Sequence, residues 1–297
     1  MGPSTQASDQ GYFPAGRSML RRVHGERVVG VNYGQRTALV GALDALLYEG
    51  TQRHTRDKRR PWARLARTGH IMETIFFGTR EQADRELARV AAMHEHVHGT
   101  ISEPLGPHPA GSAYSAADPM LALRTLGSVA DSAEVIYETF VRRLTARERE
   151  ALWQDYLLLG ELFGLARSDA PASHREFRAR WDGWLEGDSL HLTESARESA
   201  LQTAFAQPLP RGMSAAQRRV NYLVIAGTVP QRVREIYRLP WGLEHRTAFA
   251  ALVAAVRATR RVVPDVVRSG GNSALFDLVA RTERQRLERS EPTWHMA

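Results

Sequence analysis

Residues 79–99 read TREQADRELARVAAMHEHVHG, and this stretch decides the predicted fold because it contains a helix start, a helical period and a helix stop. Thr79 and Gln82 have the spacing of a capping box, whose two side chains accept hydrogen bonds from free N–H groups at a helix start. Apolar residues then recur every three or four positions, as on one helix face; the stripe is Ala83, Leu87, Val90 and Val97, with His94 in the same register. Gly99 supplies the stop. The stretch predicts an amphipathic helix whose buried face includes a histidine.

Similar start and stop signals recur along the rest of the chain. They predict helices over 33–50, from Pro61 to Phe77, from Asp118 to about Leu144, from Thr145 to about Phe163, after the capping boxes at Ser173 and Ser214, and over 229–237, 243–263 and 272–288. Strand signals are nearly absent. We therefore predict an all-α fold, a single globular domain of about ten helices over residues 17–290. Residues 1–16 are expected to be a disordered leader and residues 291–297 a short C-terminal tail.

Composition excludes several classes of protein. The 297 residues include no cysteine, so disulfides, thiolate nucleophiles and Cys-ligated zinc or haem are impossible. The net charge is +7, but 39 of the 40 basic residues are arginines spread along the chain, with Lys58 the exception. We interpret this charge as solvated helix surface and predict no nucleic-acid partner. No apolar stretch is long enough to span a membrane and no secretory signal is visible, so a cytoplasmic location is expected.

The segment His94-Glu95-His96-Val97-His98 satisfies the pattern H-E-x-x-H, which places two histidines on one helix face beside a general base and is typical of zinc hydrolases. Three features weigh against this interpretation. The extended metalloprotease pattern needs glycine where this chain has Ile101, no substrate-binding strand is readable upstream, and Gly99 ends the helix directly after His98. Glu134 is a conceivable third ligand. Zinc remains an alternative.

His94 has two further interpretations, because its register places it on the buried face. It is either a hydrogen-bonded core histidine or an axial ligand of haem iron, which favours a neutral imidazole among apolar walls. Arg64 and Thr68 share a face of the preceding helix, and Arg67 lies one residue off that face. A buried Arg64 needs an anionic partner, either an Asp or Glu side chain or a bound propionate or oxygen-derived ligand.

A set of ordered motifs resembles the haem-dependent oxygenase family of bacterial latex-clearing proteins and mycophenolic-acid side-chain oxygenases. The motifs cover roughly residues 18–265: residues 18–27, Arg64-x-x-x-Thr68, Val90-x-x-Met93-His94-x-x-Val97-x-Gly99, Tyr114-Ser115-x-x-Asp118-Pro119, Asp131-Ser132 with Tyr137-x-x-Phe140, residues 160–164 and residues 229–241. Their order and spacing together are specific.

The resemblance implies an all-helical fold around a non-covalent haem b. His94 matches the proximal iron ligand, Arg64 and Thr68 match distal-side residues that contact bound oxygen or propionates, and Arg67 stands where a lysine can be the sixth ligand. The implied activity is oxidation of an apolar small molecule by dioxygen or peroxide, and secondary metabolism is the expected setting. Two segments depart from the family pattern, residues 43–45 (Leu-Asp-Ala for Ala-His-Pro) and 124–126 (Arg-Thr-Leu for Trp-Val-His). A non-catalytic haem-binding or sensing protein, or a cofactor-free helical scaffold, is the alternative.

Overall fold

The computed structural model describes residues 11–291, which form fourteen α-helices and one small antiparallel sheet, so the predicted all-α fold is confirmed. The helices exceed the expected ten partly because three are short. The elements are α1 (Met19–His24), α2 (Arg27–Gly41), α3 (Ala45–His54), α4 (Pro61–Phe77), α5 (Arg80–His94), β1 (His98–Thr100), β2 (Ala113–Ser115), α6 (Pro119–Phe140), α7 (Ala146–Leu162), a 3-10 turn (Arg167–Asp169), α8 (His174–Glu186), α9 (Glu194–Phe205), α10 (Ala215–Thr228), α11 (Gln231–Tyr237), α12 (Leu243–Thr259), α13 (Asp265–Arg268) and α14 (Ser273–Glu288).

Helix starts follow the predicted capping signals. The Thr79 hydroxyl accepts a hydrogen bond from the Gln82 backbone N–H, and the Gln82 side chain accepts one from the Thr79 N–H, which completes the capping box of α5. The same reciprocal pair forms at the start of α7 and at the start of α10. Pro61 occupies the first turn of α4, which ends before Gly78 as predicted. Local signals of this kind succeed because their partners lie within one helical turn.

The predicted helix over residues 33–50 is wrong, because the chain breaks into α2 and α3 between Gly41 and Ala45. Asp44 causes a new start: its carboxylate accepts a hydrogen bond from the Leu47 N–H at 3.1 Å, which makes it the N-cap of α3. Gly50, expected as the stop, lies inside α3.

The helix from Thr79 ends at His94 instead of continuing to Gly99, and the following residues form a hairpin that the sequence analysis missed. In this hairpin Gly99 pairs with Tyr114 across the two strands. A Cβ atom on Gly99 would lie 2.7 Å from the Tyr114 hydroxyl oxygen, so glycine is needed here for close approach of a side chain. The apolar alternation of these three-residue strands is too short to be read as a strand signal.

The centre of the fold is the packing of α2 against α6, and it contains a fully buried ion pair. Arg36 on α2 donates to the Asp131 carboxylate at 2.6 Å and to the Ser132 hydroxyl at 2.9 Å. Burial alone would raise the pKa of Asp131, but Arg36 and Arg178 outweigh it and hold that pKa below its ordinary value. These polar groups are therefore satisfied within the core.

Residues 11–16 pack on the core, which the sequence analysis did not predict. Phe13 is fully buried and packs edge-on against Phe76, with ring centroids 6.1 Å apart. Its carbonyl accepts a hydrogen bond from Arg21 at 3.1 Å. The disordered leader predicted over 1–16 is thus wrong for residues 11–16, where an aromatic anchor holds the chain on the core. Residues 1–10 and 292–297 lie outside the described range.

Among residues 11–291, no helix combines the length and the apolar character that crossing a membrane requires.

Candidate functional site

His94 is the last residue of α5 and lies on the apolar stripe that the sequence predicts. Ala83 and Val90, earlier on that stripe, are buried. His94 itself is half-buried, and burial lowers the pKa of its imidazole. Within residues 11–291 the ring makes no hydrogen bond that would mark it as a satisfied core histidine. The structure therefore offers a neutral imidazole with a nitrogen lone pair available to a ligand.

The neighbouring histidines are placed differently. His96 is exposed, and its Nδ1 lies 3.2 Å from the Ala92 carbonyl oxygen. His98 is also exposed and belongs to β1, so it cannot share a helix face with His94 as the zinc interpretation requires. Glu134, the conceivable third ligand, is paired with His174 at 2.9 Å. No group of three potential metal-ligating side chains occurs in the described part of the chain, so these residues do not assemble the site that H-E-x-x-H predicts.

Arg64 lies in the first half of α4, the helix that precedes α5. Only Gly78 and Thr79 separate these two packed helices, so the start of α4 and the end of α5 lie at the same end of the pair. Arg64 is 14 residues before Gly78 and His94 is 15 residues after Thr79, so the two side chains stand at a similar level.

The Arg64 side chain is partly buried. Burial lowers the pKa of its guanidinium, yet the residue keeps partial contact with solvent. Among residues 11–291 no carboxylate pairs with it, so the predicted Asp or Glu partner is absent from this part of the chain. A cation in this position favours an anionic ligand.

Thr68 and Arg67 complete the predicted set on α4. Thr68 lies one turn after Arg64 on the same face, as predicted, and its hydroxyl donates to the Arg64 carbonyl at 3.1 Å. Thr68 and Arg67 are both exposed. The Thr68 hydroxyl oxygen can still accept a hydrogen bond, but its proton is engaged by the backbone.

The helix that carries Arg64 is capped by a residue far away in sequence. Glu283 on α14 accepts hydrogen bonds from the N–H groups of Trp62 at 3.1 Å and Ala63 at 2.7 Å. These are orphan donors of the first turn of α4, and a carboxylate there also complements the helix dipole. Burial raises the pKa of Glu283. Sequence reasoning missed this residue because no local signal links positions 221 residues apart.

Helix α3 packs closely on the segment that follows His94. A Cβ atom on Gly50 would lie 3.3 Å from the Tyr114 ring and 3.7 Å from Cγ1 of Val97. The Tyr114 hydroxyl lies 3.3 Å from Nε2 of His54 on the same helix. Tyr114 and Gly50 were not among the predicted site residues, although Tyr114 belongs to one of the quoted motifs. Together these contacts fix the position of the chain just beyond the imidazole.

The two segments that depart from the family pattern meet in space. The Asp44 carboxylate lies 3.9 Å from Nε of Arg124. Leu43 and Leu126, from the same segments, are buried in the core. The departures therefore alter one local region of the protein and include a matched pair of opposite charges.

A family model described as "ER-bound oxygenase mpaB/B'/Rubber oxygenase, catalytic domain" matches residues 21–258. The matched range contains His94, Arg64, Arg67 and Thr68. No similar protein is found among curated proteins or among solved structures.

Proposed function

The chain belongs to the mpaB/rubber oxygenase family, and from that premise we propose that it is a haem b-dependent oxygenase that acts on an apolar small molecule, with His94 as the iron ligand. The family supports an oxygenase. We propose secondary metabolism as the setting of this activity.

The observation that carries the proposal is the half-buried His94 imidazole, which ends an apolar stripe and makes no hydrogen bond within residues 11–291. Such a ring is a suitable axial ligand because iron binds the neutral form. The absence of cysteine leaves histidine as the strong protein ligand for haem in this chain. Arg64 at the same level of the helix pair supplies a cation without a described partner. The residues present therefore fit the group.

Bound haem would supply redox chemistry with dioxygen or peroxide as the oxidant. The protein's own residues would hold and orient it. His94 would bind the iron, and Arg64 would pair with a propionate or donate hydrogen bonds to an oxygen ligand. Thr68 would accept a hydrogen bond beside it, and Arg67 would remain a surface cation because its guanidinium hardly deprotonates.

A comparison of three histidine variants tests the iron ligand. The purified full-length protein is expected to contain about one non-covalent haem b, as the ligand set of a single site requires, and to show a Soret band. His94→Ala should lose most of this haem. His96→Ala is the matched control, because His96 is an exposed neighbour, and it should keep wild-type haem content. His98→Ala should have at most an intermediate effect through packing of β1.

Haem content is measured by acid extraction, and circular dichroism checks that each variant is folded. Equal haem loading in folded His94→Ala and wild type would exclude His94 as the ligand. A folded protein that fails to bind added hemin would exclude haem dependence. Oxygen consumption with alkene or terpenoid substrates then separates an oxygenase from a haem sensor, because a sensor would show the same spectrum without turnover.

A further inference from the structure

A groove lies between the start of α6 and α8, and neither His94 nor Arg64 lines it. It has a cavity volume of about 420 Å³, which is within the range of sites for small organic ligands. None of its lining residues is part of the proposed haem site.

Three aromatic side chains form the apolar part of the groove, namely Phe177, Trp181 and Trp184 on α8. The ring planes of Phe177 and Trp181 are inclined by 29° with centroids 6.0 Å apart, and those of Trp181 and Trp184 are inclined by 45° with centroids 4.8 Å apart. All three are at least nine-tenths buried by the protein. Met120 also lines the groove and is 55% exposed, so it adds a flexible apolar side chain that a ligand can contact. Only a small part of each ring is exposed in the groove, so the accessible apolar lining includes Met120 and Leu123 as well as the rings.

The charges of the groove are all positive. Arg124 and Arg180 line it, and no acidic residue does. The Arg124 guanidinium lies over the Trp184 ring, 4.5 Å from its centroid, so its plane is held while its N–H edges stay free. Its nearest described carboxylate, on Asp44, is 3.9 Å away, beyond hydrogen-bond distance. That carboxylate is also engaged, because its other oxygen caps α3.

Arg124 therefore has a long ion pair with Asp44 but no described hydrogen-bond acceptor, and Arg180 is exposed with no described acceptor. Burial lowers the pKa of Arg124, which shows that its charge stands in partly dehydrated surroundings. A bound carboxylate would satisfy it with paired, charge-assisted hydrogen bonds. We infer that this groove binds a small organic acid with an apolar body, whose carboxylate pairs with the groove arginines while its body contacts Met120, Leu123 and the exposed part of the aromatic rings.

The test is isothermal titration of the full-length protein with 2-naphthoate. The neutral isostere 2-naphthamide should bind at least about tenfold more weakly, because it lacks the charge that a guanidinium recognises. Arg124→Gln should weaken naphthoate binding about tenfold, and Arg180→Gln, at an exposed position that tolerates substitution, should weaken it by a smaller factor. Arg175→Gln is the matched control: it removes an equal charge from an exposed site on the same helix outside the groove, and affinity should not change.

The same titration with folded His94→Ala should give wild-type affinity, since no lining residue is shared with the haem site. Failure of the haem proposal would thus leave this one standing, and the reverse also holds. The inference is overturned if naphthoate does not bind, if the amide binds equally well, or if both groove variants match the wild type. Displacement by inorganic phosphate at equal ionic strength would also overturn it, because the groove would then bind anions without regard to the apolar body.

Discussion

Acidification should destabilise this protein through one buried imidazole, that of His24 on α1. The ring is fully buried between Tyr33 and Phe76, with centroids 4.7 and 4.4 Å away. Its Nε2 lies 2.8 Å from the Tyr156 hydroxyl oxygen, but Nδ1 is buried without a hydrogen-bond partner among the described residues. Protonation would place a charge and a second donor in surroundings that satisfy neither.

The magnitude follows from the pKa of His24, which burial lowers from 6.5 to about 3. Between these values the unfolded chain binds a proton that the folded protein does not, so stability falls as the pH falls. At about 1.36 kcal/mol per pH unit, His24 lowers the free energy of unfolding by about 2 kcal/mol at pH 5 relative to pH 7. The largest decrease, reached below pH 3, is about 5 kcal/mol. Above pH 6.5 this contribution to stability is fully present.

Urea unfolding at pH 7 and pH 5 measures this effect. The informative variant is the double substitution His24→Phe with Tyr156→Phe, because it removes both hydrogen-bond partners and leaves no buried polar group without one. The wild type should lose about 2 kcal/mol more than this variant over the same pH interval. Carboxylates elsewhere titrate in both proteins, and their contribution cancels in the difference. His96→Phe, at an exposed position, should keep the wild-type pH dependence.

If the double variant lost as much stability as the wild type between pH 7 and pH 5, protonation of His24 would not be the cause of the acid destabilisation. Such a result would mean that His24 is already protonated in the folded protein at pH 5, or that local opening of α1 admits water to Nδ1.

Three further substitutions test the account of the core and of the proposed site. Arg64→Leu should raise the free energy of unfolding of the haem-free protein by on the order of 1 kcal/mol, since it removes a cation without a described partner. It should also weaken hemin binding in a spectroscopic titration. If the variant lost both stability and hemin affinity, Arg64 would have a structural role. Arg36→Met should lower the free energy of unfolding by about 3–5 kcal/mol because it breaks a buried ion pair, as measured by urea unfolding. Gly69→Ala should cost about 1–3 kcal/mol, because the new Cβ would lie 2.6 Å from the Phe276 ring; Gly183→Ala, where the helix surface is open, is the control and should not destabilise.

The sequence predicted what is encoded within a helical turn. The capping boxes of α5, α7 and α10 and the start of α4 at Pro61 were read correctly because each depends on residues three or four positions apart. The stripe that turns His94 inward is also local. The break at Asp44 was missed because apolar residues continue on both sides of it. The local sequence is compatible both with one continuous helix and with a new helix capped by the Asp44 carboxylate, and the structure has the second.

The surroundings of the site residues depend on distant parts of the chain, and periodicity carries no information about them. That Arg64 has no carboxylate partner within residues 11–291 follows from the packing of α4. The contact of Asp44 with Arg124 joins residues 80 positions apart. Neither could be derived from a spacing rule, although the sequence singled out both segments as departures from the family pattern.

The capping of α4 by Glu283 bears on where this protein can be cut. The family match ends at residue 258, and a shortened chain designed on that boundary would lack α14. It would leave the N–H groups of Trp62 and Ala63 without their carboxylate, and it would uncover the apolar surface of Trp62 and Ala66 that Val279 covers. The first turn of α4 would then fray two residues before Arg64. The smallest unit able to present the proposed site therefore extends through residue 288, thirty residues past the end of the family match.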